Sequence, residues 1–192
     1  MNGAPSLTPE QRAVLLASAR QAIRDRVRGT PDAFAHPEDP ALRAPGAAFV
    51  TLMRGGQLRG CIGYVEPIKP LAEAVAYCAA AAASADPRFP PVTPNELPHL
   101  RVEVSILSPL RPVVDPHEIQ VGIHGLSVSQ TGRHGLLLPQ VATEFGWDRE
   151  TFLRQTCLKA GLPGDAWKGG AEIRIFSVDH FTDDVPVESL DP

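Results

Sequence analysis

The hexapeptide LRGCIG, Leu58 to Gly63, sets a cysteine between glycines and two residues after an arginine. The cysteine thiolate is a strong nucleophile, and reactive cysteines sit in electropositive, partly exposed surroundings. Arg59 and Cys61 are two residues apart, which on a regular strand puts them on one face about 6.6–6.8 Å apart along the chain. The structural reading competes directly: unbonded cysteine is among the most buried residue types, and glycine neighbours suit a tightly packed hairpin.

A nucleophilic cysteine also needs a base. His124, in GIHG, is the best placed of six histidines, because a strand through VGIHGLSVS would set it beside glycines that leave space. A hydrogen-bonded structural histidine is the alternative there. Asp86 and Arg88 stand together in DPRFPP. Turn chemistry alone explains Asp-Pro, yet an arginine in such a loop can also offer a fork to a carboxylate or phosphate. Glu66, just beyond the LRGCIG strand, is a candidate acid, base or ligand that could equally be solvated. Cys61 and His124 are thus the catalytic candidates, and Arg59, Glu66, Asp86 and Arg88 the substrate-binding ones. Cys78 and Cys157 fall on apolar helix faces and read as packing residues. With no CxxC pair and no ligand spacing, no metal site is indicated. No cofactor motif occurs either: GxGxxG, GxxxxGK, GxSxG and HExxH are all missing.

These residues need elements to hold them. Thr8, Pro9 and Gln11 start a helix as cap, first-turn proline and capping box, Leu15, Ala19, Ile23 and Val27 give it one apolar stripe, and Gly29 stops it. A proline-rich connection, Thr30 to Gly46, follows. GAAFVTLM and QLRGCIGY then read as a hairpin about Gly55-Gly56, whose tolerance of positive φ suits a type I′ turn. A regular register places Arg54 opposite Gln57, Leu52 opposite Arg59 and Val50 opposite Cys61. Alternation then puts Phe49, Met53, Leu58 and Ile62 on the core face, and Val50, Leu52, Arg59 and Cys61 on the other. Pro70 opens a helix through the alanine run, ended by Asp86-Pro87. HLRVEVSILS, VGIHGLSVS, HGLLLP and EIRIFSV read as strands, with QTGR joining the second and third. A short helix is expected from Pro139 to Gly146. A second, capped by Asp148 and ended by Gly161, carries Phe152, Leu153, Thr156, Cys157 and Ala160.

Hairpin-linked strands with few helices predict an α+β fold built on a mostly antiparallel sheet flanked by helices. The 192 residues suit one domain, with 43% hydrophobic residues for its core. A formal charge of −4 with no basic cluster argues against a broad duplex nucleic-acid footprint. The first residues lack a secretory pattern, no apolar run spans a bilayer, and three widely spaced cysteines suit a reduced, cytoplasmic setting.

LRGCIG, together with ASADPRFPPVTPNELPHLRVEVSILSP, EIQVGIHGLSVS, HGLLLPQVATEFGWDRETFLRQTCLKAGLP and EIRIFSV, resembles the AMMECR domain family, which includes protein A of the AmmeMemoRadiSam system. The resemblance implies a domain over residues 7–181, with a peripheral acidic tail at 182–192. It implies a larger subdomain from the N- and C-terminal segments, a smaller inserted one, and a cleft at the LRGCIG strand. It also implies two partners, a Memo-like protein resembling class III extradiol dioxygenases and a radical SAM protein. The family has no settled activity. Two readings follow: a cysteine-dependent enzyme acting on a small anionic or carbonyl substrate, or a non-catalytic binding or scaffold module in which LRGCIG packs and interacts.

Overall fold

The computed structural model describes residues 7–31 and 37–183; His36 and the tail from residue 184 onward lie outside them. In chain order its elements are helices α1 (Pro9–Arg28) and α2 (Pro40–Arg43), strands β1 (Ala47–Arg54) and β2 (Gln57–Tyr64), and helix α3 (Leu71–Ser84). Strands β3 (Leu100–Leu107), β4 (Arg111–Pro112), β5 (Gly125–Gln130) and β6 (Arg133–Leu137) follow, then helices α4 (Pro139–Glu144) and α5 (Arg149–Lys159) and strands β7 (Glu172–Phe176) and β8 (Val178–Thr182). The fold is α+β, with two separate four-stranded sheets. The chain divides into two compact units, one of them containing Ser108–Val178 and the other the described residues on either side.

The latter unit holds the sheet β2-β1-β3-β8, with β2 at one edge. Helix α1 begins as expected: Thr8 Oγ1 accepts from the Gln11 N–H at 3.2 Å, and Gln11 Oε1 accepts from the Thr8 N–H at 2.9 Å. It packs on α3, which lies against β1 and β2. The core joins Leu15, Ala19 and Ile23 of α1 to Val75, Cys78, Ala79 and Ala82 of α3 and to Val50, Leu52, Val102 and Val104 of the sheet. Alanines along α3 leave its backbone free to come close to the sheet. The approach is tightest at Gly60, where an added methyl carbon would stand 2.2 Å from the Ala82 carbonyl oxygen.

The hairpin departs from a regular register. Gly55 and Gly56 take φ of 55° and 77°, as the turn requires, and Arg54 faces Gln57. Met53 then faces Leu58, but Leu52 faces Gly60: Arg59 is the extra residue of a β-bulge. Cys61 therefore opposes Thr51 rather than Val50. On β1 the core face is also the reverse of the expected one, whereas past the bulge Ile62 pairs with Val50 and packs against the core as expected. Val50 and Leu52 are fully buried, while Leu58 is 40% exposed and Phe49 and Met53 are half-buried. Bulk alone favoured Phe49 and Met53 as the inward pair; α3 instead packs so closely that small and branched residues fit beneath it.

The other unit carries the sheet β4-β7-β5-β6. Its core sets Phe152 and Leu153 of α5 against Leu126, Ile173 and Ile175. Asp148 caps α5 by accepting from the Thr151 N–H at 2.8 Å, and Gly161 follows its end at φ 71°. One expected strand is shorter than its sequence suggests. Gly122 takes φ 83°, and the Ile123 and His124 N–H groups both donate to the Gln120 carbonyl, so residues 121–124 form a turn and β5 begins at Gly125.

Candidate functional site

Cys61 is half-buried on the edge strand β2. In an antiparallel pair, alternate residues turn both backbone polar groups away from their partner. At Cys61 these outward groups meet side chains from the loop after α3. Its N–H donates to Asp86 Oδ2 at 2.9 Å, and its carbonyl accepts from Arg88 Nη2 at 3.4 Å. On the sheet face, Thr51 Oγ1 donates to Cys61 Sγ at 3.2 Å. Thr51 is half-buried between the fully buried Val50 and Leu52, so it and Cys61 share the face turned away from α3.

Asp86 organises the outer side of this edge. Only 2% of its side chain is exposed. Its carboxylate accepts from the Cys61 N–H, from the Arg88 backbone N–H at 3.1 Å, and from Arg88 Nε and Nη2 at 2.9 and 2.7 Å. The Arg88 hydrogen bond, aided by the two backbone donors, holds the Asp86 carboxyl well below the usual carboxylate range despite its burial. The same bond raises the Arg88 pKa, and the Cys61 thiol is among the groups acting on that guanidinium.

Arg59, the bulge residue, reaches along the same loop. Its Nε and Nη2 donate to the two oxygens of Glu96 at 2.8 and 3.1 Å. Its Nη1 and Nη2 donate to the Pro90 and Pro91 carbonyls at 2.8 and 3.3 Å. Glu96 also accepts from Arg54 Nη1 and from the backbone and hydroxyl of Thr93. Arg59 first, and then the Thr93 backbone and hydroxyl, draw the Glu96 carboxyl down to about 2. The segment from Asp86 to Glu96 is thereby strapped onto β2 at two points, Cys61 and Arg59.

Of the residues singled out from the sequence, Arg59, Cys61, Asp86 and Arg88 converge on one strand edge. Glu66 lies exposed in the bend beyond β2. His124 belongs to the other unit. There its Nδ1 accepts from the Gln120 N–H at 3.1 Å, and burial, with Arg111 second, lowers its pKa. A neutral ring whose Nδ1 accepts carries its proton on Nε2. Cys78 and Cys157 are fully buried; burial pushes the Cys78 thiol up to about 12 and raises that of Cys157. Thr51 and Glu96 were not among the sequence candidates. Glu96 had a local signal, since TPNE is a capping box and forms one about Thr93. Thr51 had none without knowledge of the bulge. Among the described residues, no three His, Cys, Asp or Glu side chains gather as metal ligands, and no helix is long and apolar enough to cross a membrane.

Comparison with known proteins matches this chain to one family. The AMMECR1 family model aligns with residues 16–181. A protein of Methanothermobacter thermautotrophicus is 48% identical over 84% of this chain and 88% of its own length. Protein MK0488 of Methanopyrus kandleri is 42% identical over 94% of this chain and 92% of its own. The crystal structure of the uncharacterized protein PH0010 from Pyrococcus horikoshii superposes with a TM-score of 0.82 at 41% identity, covering 90% of this chain and 91% of that one.

Proposed function

This chain belongs to the AMMECR1 family, and from that premise we propose that it performs a cysteine-dependent step in a pathway shared with a Memo-like protein and a radical SAM protein. Cys61 is the nucleophile or thiol carrier. The observation that carries the reading is the setting of this one thiol. Its backbone is held on both sides by Asp86 and Arg88, its sulfur accepts from Thr51, and it stays partly open while the other two cysteines are sealed. Such restraint fixes the reacting atom before a substrate arrives.

The test is native-state labelling with a neutral thiol reagent, resolved by peptide mass spectrometry. Cys61 reacts rapidly, and Cys78 and Cys157 react only after unfolding. Labelling of Cys61 no faster than of the two buried thiols refutes the reading. In the pathway itself, Cys61→Ser abolishes turnover or adduct formation with little change in melting temperature.

A second reading, a non-catalytic binding or scaffold module, draws on the two glycines of the motif. Gly60 lies under the Ala82 carbonyl and Gly63 under the Phe49 ring, each with no room for a side chain. On this reading LRGCIG is a packing device that shapes a surface for a partner. Cys61→Ala then leaves complex formation with the Memo-like protein, followed by light scattering, unchanged. No complex from either form counts against it.

A further inference from the structure

The two arginines about Cys61 differ in what each leaves open. Every nitrogen of the Arg59 guanidinium is engaged, on Glu96, Pro90 and Pro91, and 13% of its side chain is exposed. Arg88 is held as firmly but from one side only. Nε and Nη2 are on Asp86, Nη2 also reaches the Cys61 carbonyl, and the guanidinium stands 5.5 Å from the Phe89 ring centre. Among the described residues Nη1 has no partner, and 54% of the side chain is exposed. The ion pair is therefore oriented, with its negative member buried and the free donor edge of its positive member turned to solvent.

A guanidinium so fixed binds an oxyanion without first losing side-chain freedom, and its planar donors match carboxylate and phosphate oxygens. Its place on the Cys61 backbone sets a bound anion beside that residue. We propose that Arg88 is the docking point for the oxyanion group, carboxylate or phosphate, of a ligand brought to Cys61. The inference rests on the thiol reading above and narrows its substrate to the anionic class. It assigns the anchoring to Arg88 and leaves Arg59 to the strap.

Two alkylating reagents that differ in charge test it. Rates of Cys61 modification by iodoacetate and by iodoacetamide are compared at constant ionic strength in the wild type, Arg88→Gln and Arg88→Lys. Each variant's iodoacetamide rate controls for any change in the thiol itself. The ratio of the iodoacetate rate to the iodoacetamide rate falls about three- to tenfold in Arg88→Gln, the range of one charge contact near a protein surface. Arg88→Lys retains part of it. In the unaltered protein, inorganic phosphate or acetate lowers the same ratio, and the better competitor identifies the anion class. An unchanged ratio in Arg88→Gln, with no competition by either anion in the wild type, overturns the docking site while leaving the thiol reading standing. Failure of iodoacetamide to modify Cys61 overturns both.

Discussion

Gly60→Ala is the sharpest perturbation of the hairpin, because the group it meets is backbone. The added methyl carbon would lie 2.2 Å from the Ala82 carbonyl oxygen and 3.1 Å from the carbonyl carbon. Carbon and oxygen come no closer than about 3.2 Å without repulsion, so roughly 1 Å of separation must be found between β2 and α3. No rotamer change can supply it. The strand must lift or the helix must slide, and both are anchored in one core containing Val50, Leu52, Cys78 and Ala82. Overpacking of this kind costs about 1–3 kcal/mol, and two rigid elements place it at the upper end. For a chain of this length each kcal/mol moves the melting temperature by about 2–4 °C, so a fall of roughly 6–12 °C is expected. Thermal unfolding followed by circular dichroism reads it directly. Gly164→Ala serves as the comparison: its methyl carbon meets only the Arg154 side chain, at 2.8 Å, and a flexible side chain can turn aside more cheaply than a helix can move. A Gly60→Ala protein melting within about 1–2 °C of wild type, or above Gly164→Ala, refutes the claim that this glycine is required by helix approach.

Three further outcomes follow from the same geometry. Glu96 titrates near 2 in the fold against an ordinary 4.5, so the stability it contributes, on the order of 3 kcal/mol, is complete above about pH 4.5 and is lost as pH falls toward 2. Glu96→Gln should flatten that part of the pH dependence of the urea midpoint, and equal slopes for the two proteins would remove Glu96 as its source. Asp86→Asn keeps an acceptor for the Cys61 N–H but loses the charge on Arg88; it should cost about 1–3 kcal/mol in denaturant unfolding, and no loss would show that the clasp is not a stabilising contact. Thr8→Ala removes half of a reciprocal capping box and should lower stability by about 1 kcal/mol, with the first turn of α1 gaining hydrogen-exchange rate.

Local chemistry was legible in the sequence where a residue type permits little else. Thr8, Pro9 and Gln11 start α1 where the cap requires, Gly55-Gly56 makes the turn, and Asp148 and Gly161 bound α5. The α+β class follows from the same signals. Two features were not legible, for different reasons. The strand expected through His124 depended on apolar alternation, but Gly122 at positive φ lets the chain close a turn on Gln120 instead. The core face of the hairpin depended on which side α3 would cover. Side-chain bulk pointed to Phe49 and Met53, whereas backbone proximity selected Val50 and Leu52. That choice is made by a helix whose register on the sheet has no local signature. Glu96, not among the sequence candidates, illustrates the middle case: TPNE carries a local capping signal, but its pairing with Arg59 spans 37 residues and needs the folded chain.

The bulge at Arg59 alters the chemistry more than its size suggests. On a regular strand, Arg59 would be the cation beside Cys61. With Arg59 as the extra residue, its guanidinium runs to Glu96 and to the Pro90 and Pro91 carbonyls, each of its three nitrogens engaged there. The loop it fastens follows α3 and carries Arg88, which takes the position on the Cys61 carbonyl. The two arginines thus have separate duties in one arrangement: Arg59 secures the strap, and the strap presents Arg88. A charge effect on Cys61 must then follow Arg88, while loss of Arg59 acts on both through release of the loop. The pattern of effects distinguishes this from a pair of equivalent cations: Arg88→Gln, which leaves the buried Asp86 carboxylate without its partner, should lower the melting temperature and the ratio of charged to neutral reagent rates together, whereas Arg59→Gln should lower the melting temperature with a smaller change in that ratio.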